Sequence, residues 1–424
     1  MTMKLIFVLV VLFVAVYGRE GFGPGEQNWG YVQVRQDAHI FYWLYHTTAL
    51  VKNATEKPLV IWLQGGPGSS STGYGNFAEL GPLDVNLKPR NTSWTSRYNV
   101  LFVDNPVGSG FSYVENNAYA MNNTQIAKDF LVFLKGFYQQ NPEFQASTLH
   151  IFSESYGGKM TAEIALLLDK AIKAGDFDIK FKGIGLGDSW ISPIDSVLTW
   201  PPYLLNLGII DQNGYNEIQN VANDCKEALN KNSFLNATKL WSKVEYIVDM
   251  VTSGVDFYNV LRKTKKMPEL SSKRALIKDA EDEIIDSIMN TKVKNALNIS
   301  RSWGSQSNKV FEYLAEDFMK PVTNIVEELL NSTDILIAVY NGQLDLIVDT
   351  PGTVKWLDNL NWDGAPIWKV VERLPLVVDD NIEGYIKAAN NLWFFWVNRA
   401  GHMVPADNPA AMFYILKHIT ERRC

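Results

Sequence analysis

The sequence predicts an α/β fold in which a mixed, mostly parallel sheet carries helices on both faces and is interrupted by an inserted helical cap. Three observations predict it. Short, continuously apolar runs alternate with amphipathic helical stretches through the first half of the chain. From about Pro193 to Ser307 those runs give way to polar helical stretches such as NEIQNVANDCKEALN and DAEDEIIDSIMN. Buried-strand texture then resumes at DILIAVYNG (334–342). The expected organisation is a core built from 19–192 and 308–424, with 193–307 as the cap.

The elements follow in chain order. MTMKLIFVLVVLFVAVYG (1–18) has one lysine, an apolar run and a small-residue end, which reads as a signal peptide removed on secretion. A membrane anchor needs about 20 apolar residues and this run is shorter, so no anchor is expected. YVQVRQDAHIFYWLYH (31–46) alternates and is rich in aromatic and β-branched residues, as an antiparallel hairpin requires. PLVIWLQ (58–64) and NVLFVD (99–104) are apolar without alternation, the pattern of strands buried on both faces. TQIAKDFLVFLKGFYQQ (124–140) has helical spacing, TLHIFS (148–153) is another buried strand, KMTAEIALLLDKAIKAG (159–175) is a second helix, and IKFKGIGLGD (179–188) is a further strand. After the insertion, GYIKAANNLWFFWVNRAG (384–401) predicts two strands before a final helix around PAAMFYILKHIT.

Composition excludes several classes. A net charge of −7, an isoelectric point near 5.4 and the lack of a basic stripe argue against a nucleic acid or an anionic membrane surface as partner. Neither charge nor pattern specifies an oligomeric state. The two cysteines, Cys225 and Cys424, allow one internal bridge, so stability must come mainly from the core. Sequons at Asn53, Asn91, Asn122, Asn236, Asn298 and Asn331 are glycosylation candidates in a chain that enters a secretory lumen.

IFSESYGGKM (151–160) places Ser155 where a buried strand hands over to a helix. A serine hydroxyl is a poor nucleophile until an imidazole takes its proton and a carboxylate fixes that imidazole's tautomer. The strand-to-helix turn of an α/β-hydrolase exposes such a serine, with partners in the order Ser, Asp, His. That order is present. Asp345 lies in NGQLD just past the strand DILIAVY, and His402 lies in AGHMVP just past WFFWV. The oxyanion formed in acyl transfer needs backbone donors, one from the residue after the nucleophile, Tyr156. The glycine-rich WLQGGPGSSS (62–71) offers the second, assigned to Gly66. This chemistry calls for no cofactor and no metal.

The blocks WLQGGPGSSSTG, FAELGPL (77–83), LFVDNPVGSGFSY (101–113), SESYGGK (153–159), NGQLDLIV (341–348) and AGHMVP (400–405), in that order, resemble the serine carboxypeptidases over nearly all of the chain after the leader. The resemblance implies an α/β-hydrolase fold with a cap and a serine exopeptidase acting on the C-termini of peptides and proteins in a lysosome or outside the cell. It further implies a carboxylate-binding group at Trp62, Gln64, Gly65, Glu79 and Glu154. Two acids facing a substrate's carboxylate would repel it unless one holds a proton, so activity is expected to favour mildly acidic conditions. The chain departs from the family pattern at Gln64, usually Asn, at Ser69, commonly Cys, and at Ser153, usually the first glycine of the elbow. Two alternatives stand beside this reading: an acyltransferase or esterase on the same triad, and a non-catalytic lumenal binding protein on a hydrolase fold.

Overall fold

Among the residues that the computed structural model describes, 19–264 and 280–421, twelve strands form one continuous sheet. The leader over 1–18 and Cys424 lie outside the described residues. The strands are β1 (Arg19–Glu20), β2 (Glu26–Arg35), β3 (Ala38–Tyr45), β4 (Leu59–Leu63), β5 (Asn99–Val103), β6 (Tyr113–Val114), β7 (Thr148–Glu154), β8 (Lys180–Gly187), β9 (Leu336–Gly342), β10 (Leu374–Val378), β11 (Asn381–Ala389) and β12 (Leu392–Val397). Their spatial order is β1-β2-β3-β5-β4-β7-β8-β9-β12-β11-β10, with β6 paired to β3. The hairpins at the two edges are antiparallel. The centre, β5-β4-β7-β8-β9-β12, is parallel throughout. Parallel strands end on one side, so six consecutive C-terminal ends converge there.

Strand parity explains the two-faced core. In β4, Leu59, Ile61 and Leu63 join one apolar cluster while Val60 and Trp62 join the other. The first cluster is closed by α1 (Asn123–Gln140) and α2 (Tyr156–Lys173), whose Ile126, Phe130, Ile164 and Leu168 are fully buried. Asn122 caps α1 by accepting from the Gln125 N–H at 2.9 Å. The second cluster is closed by α6 (Ala280–Ile288) and, at the end of the chain, α10 (Pro409–Thr420), through Ile285, Met412, Ile415 and Leu416. Burying each such side chain contributes roughly 1.5–3 kcal/mol.

Between these elements, α3 (Pro193–Asn206), α4 (Gln212–Asn230) and α5 (Phe234–Thr252) pack on one another in sequence, and α5 also packs on α7 (Asn308–Phe318). Helix α8 (Thr323–Ser332) lies on α2, and α9 (Thr350–Asp358) lies on α3. Cys225, on α4, is buried and carries a free thiol among the described residues, burial pushing it up to about 12, while Cys424 lies outside those residues. The sequence left a bridge between the two open; here the thiol packs as a small apolar group beside the Ala237 carbonyl. All six sequon asparagines are exposed. Strand β10 was not legible in the sequence because LPLVV contains a proline and is mostly exposed, as an edge strand permits.

Candidate active site

Ser155 sits between β7 and α2 with φ 61° and ψ −127°, a strained backbone for a residue with a side chain. The strain is held from several sides. The Ser155 N–H donates to the Gly187 and Asp188 carbonyls at 3.1 Å each, and its own carbonyl accepts from the Trp190 N–H at 2.9 Å. Neighbouring chain must come very close. A Cβ at Gly65 would lie 2.5 Å from the Ser155 Cβ, and one at Gly157 would lie 2.4 Å from the Leu63 carbonyl oxygen, so only glycine fits either place. Tyr156 opens α2, where first-turn N–H groups lack helical partners, and Gly66, at φ +105°, follows Gly65 on the facing loop. The Tyr156 hydroxyl donates to Asp317 at 3.1 Å, and Lys159 bridges the same carboxylate at 3.0 Å, fixing the first turn of α2 against α7.

Asp345 and His402 meet although 57 positions separate them: His402 Nδ1 lies 2.7 Å from Asp345 Oδ2, both side chains almost wholly buried. Asp345 Oδ1 also accepts from the Val348 N–H at 3.3 Å. The loop that carries His402 is held by Tyr258, since the His402 N–H donates to the Tyr258 carbonyl at 2.8 Å and the two rings stand 5.1 Å apart. Burial lowers the His402 imidazole below its usual value, opposed by the Asp188, Glu79, Asp256 and Asp407 carboxyls. The ring is therefore kept neutral, the state a proton acceptor requires.

The five residues implied as carboxylate-binding are also brought together. Trp62 Nε1 donates to Gln64 Oε1 at 2.8 Å, and Gln64 Nε2 donates to Glu79 Oε1 at 3.0 Å and to Glu154 Oε1 at 2.9 Å. Gly65 presses against Ser155 from the same loop. Glu79 reaches this point on the wide helical segment Ser71–Leu80, whose final bond runs from the Gly81 N–H to the Asn76 carbonyl. That segment has no period to read in the sequence, because its glycines and small residues read as loop. Oε2 of each glutamate is buried and finds no conventional donor, while both Oε1 atoms accept from the same Gln64 Nε2, which sets the two acids side by side. One proton shared between them resolves both facts. Burial is the main cause that pushes Glu79 up to about 7 and Glu154 well above the carboxylate range, and the Glu79 charge adds to the second.

Sequence reasoning missed Asp188. It follows β8 directly, it is fully buried, and its carboxyl, the Asp345 carboxyl and the His402 imidazole present ligand atoms within 4.8 Å of one another. Such a cluster could in principle hold a metal ion, but the short His402–Asp345 contact already satisfies an acid–imidazole hydrogen bond. The signal available beforehand was position alone, an acid at the C-terminal end of a buried parallel strand. The departures at Ser69 and Ser153 are absorbed locally. Ser69 hydrogen-bonds Gln306, while the Ser70 N–H donates to the Ser305 carbonyl and the Ser307 N–H to the Gly68 carbonyl, both at 3.0 Å. The Ser153 hydroxyl donates to the Gly185 carbonyl at 3.3 Å.

A sequence model described as serine carboxypeptidase matches residues 19–422. The chain is 45% identical to the retinoid-inducible serine carboxypeptidase of Rattus norvegicus, over 94% of this chain and 92% of the rat protein. It is 37% identical to serine carboxypeptidase-like 51 of Arabidopsis thaliana, again over 94% and 92%. A crystal structure of a prohormone-processing carboxypeptidase from Saccharomyces cerevisiae superposes with a TM-score of 0.81 at 25% identity, covering 94% of this chain and 91% of that one.

Proposed function

The chain belongs to the serine carboxypeptidase family and is a serine-type peptide hydrolase of α/β-hydrolase fold, and from that premise we propose how its residues divide the work. Ser155 attacks the carbonyl of the last peptide bond while His402 takes its proton and passes it to the leaving amine. Asp345 holds the imidazole with the correct nitrogen free. The Gly66 and Tyr156 N–H groups stabilise the developing oxyanion, and water then releases the acyl group by the same steps in reverse. The substrate's free C-terminal carboxylate is read by Trp62, Gln64, Gly65, Glu79 and Glu154. The observation that carries this reading is the Gln64-bridged glutamate pair, buried and one residue from Ser155.

A carboxylate can accept a hydrogen bond from a protonated glutamate and is repelled by an ionised one. The raised Glu79 and Glu154 therefore favour work at mildly acidic pH, and the lowered His402 keeps the base neutral there. We assign the chain to the secretory route, to a lysosome or the outside, on its leader and its six exposed sequons. Residues 193–307 are read as the cap, because Tyr258 and Gln306 from that stretch hold the loops of His402 and Ser69. No helix among the described residues is long and apolar enough to cross a membrane.

The test compares one peptide with its C-terminal amide at mildly acidic pH, after a fluorophosphonate has been shown to label Ser155. Free-acid peptide should turn over about 10- to 100-fold faster, the worth of one or two charge-assisted hydrogen bonds. Equal turnover would point to an esterase or acyltransferase. Absence of labelling would point to a binding protein.

A further inference from the structure

The carboxyl group of Asp188 has no role in the scheme above, yet it is the point where the strand ends carrying Ser155, Asp345 and His402 are knotted together. Its carbonyl accepts from the Ser155 N–H at 3.1 Å, and its own N–H donates to the Tyr340 carbonyl at 2.8 Å. Its Oδ1 accepts from the Gly342 N–H at 2.7 Å, at the start of the loop that carries Asp345. Oδ2 is buried with no conventional donor, and the Asp188 and Asp345 carboxyl groups bring oxygens within 4.8 Å of each other.

Two carboxyl groups can bond to each other only through a proton. The donors around each decide which one holds it. Asp345 faces the His402 Nδ1 and the Val348 and Ile347 N–H groups, all of which stabilise a negative charge. Asp188 has only the Gly342 N–H, and the other titratable groups that bear on it are Asp345, His402, Glu154 and the Tyr340 phenol. We propose that Asp188 is a positioning residue that carries a proton on Oδ2 and donates it to Asp345, so that Asp345 remains the ionised partner of His402 and is held in one orientation by two donors. Burial pushes both carboxyls well above the carboxylate range; the Asp345 charge raises Asp188 further, while Asp188 and the Val348 and Ile347 N–H groups draw Asp345 back down. The inference deepens the function proposed above and rests on its assignment of Ser155, His402 and Asp345.

Asp188→Asn and Asp188→Ala separate this role from a purely structural one. Asparagine keeps an acceptor for the Gly342 N–H and offers an N–H in place of the O–H, so kcat should fall by no more than about 5-fold. Alanine removes the second donor, and kcat should fall by about 10- to 100-fold with KM nearly constant, the scale of a slightly misplaced reacting group. Infrared difference spectra, wild type minus each variant, should show loss of one protonated-carboxyl C=O band. An Asn variant as impaired as the Ala variant, or a difference spectrum without that band, overturns the proposal. Should the Ala variant fail to fold, the Asn spectrum decides alone. A wild-type protein that no fluorophosphonate labels would overturn the assignment of Ser155 instead, and the infrared band would still decide Asp188.

Discussion

The molecule holds two buried acid pairs beside Ser155, and they are built for opposite ends. Glu79 and Glu154 share one donor residue, Gln64, through its two N–H groups, and each keeps an oxygen with no conventional partner. Asp188 and Asp345 are unequal: Asp345 is surrounded by an imidazole and backbone N–H groups, and Asp188 has one such donor. A pair with balanced surroundings can give its proton to a third carboxylate, which suits recognition of a chain end. A pair with unbalanced surroundings localises its proton and keeps the other carboxylate charged, which suits the support of a base. The same two functional groups thus acquire different chemistry from the donors around them.

Experiments can break this contrast, beginning with the largest effect. His402→Ala removes the group that Asp345 exists to orient, and kcat should fall by about 10⁴-fold or more for acid and amide peptides alike. A steady-state comparison of the two substrates checks it; selective loss on the acid substrate would place His402 in recognition instead. Glu154→Ala should do the reverse. Turnover of free-acid peptides should fall by about 10- to 100-fold, mostly through KM, while amidated peptides change little. A uniform loss on both would show that Glu154 supports Ser155 rather than the substrate.

The smallest effect is on pH dependence. Glu79 is raised from 4.5 to about 7 and Glu154 well above the carboxylate range, so both are protonated in the mildly acidic range, and as pH rises through about 7 the pair keeps one proton and gains a negative charge that repels a substrate carboxylate. Activity on free-acid peptides should then drop by about tenfold per further pH unit, and the amide should not follow. Stability moves in the same sense. A group raised in the folded state contributes stability that is fully present below its unfolded value and is lost as pH rises through the folded one, so the melting temperature should decline between about 4.5 and about 7. A melting temperature that climbs across that window would mean both glutamates are ionised in the fold.

Much of this was legible in the chain. The apolar runs at 58–64, 99–104 and 148–153 appear as β4, β5 and β7, and the helical run at 124–140 appears as α1, because strand and helix periods are set by neighbours a few residues apart. Asp345 and His402 could be read as residues just past strand ends. The helix that starts at Tyr156 rather than Lys159 was less legible, since its first turn is made of the glycines that let it pass under the Gln64 loop. Glu79 was matched by a motif, but the segment that delivers it had no period to read.

By itself, then, the sequence determined which strands are buried on both faces, their order between helices, and the strand ends at which serine, acid and imidazole would emerge. Those properties depend on local spacing and on the burial of apolar side chains, and both are written residue by residue. Only the tertiary structure decided that Asp188 meets Asp345 and that Glu79 meets Glu154, contacts between residues far apart in the chain. The protonation of each carboxyl belongs with these, since a carboxyl's charge is set by the donors and the depth of burial around it, and neither exists until the chain has folded.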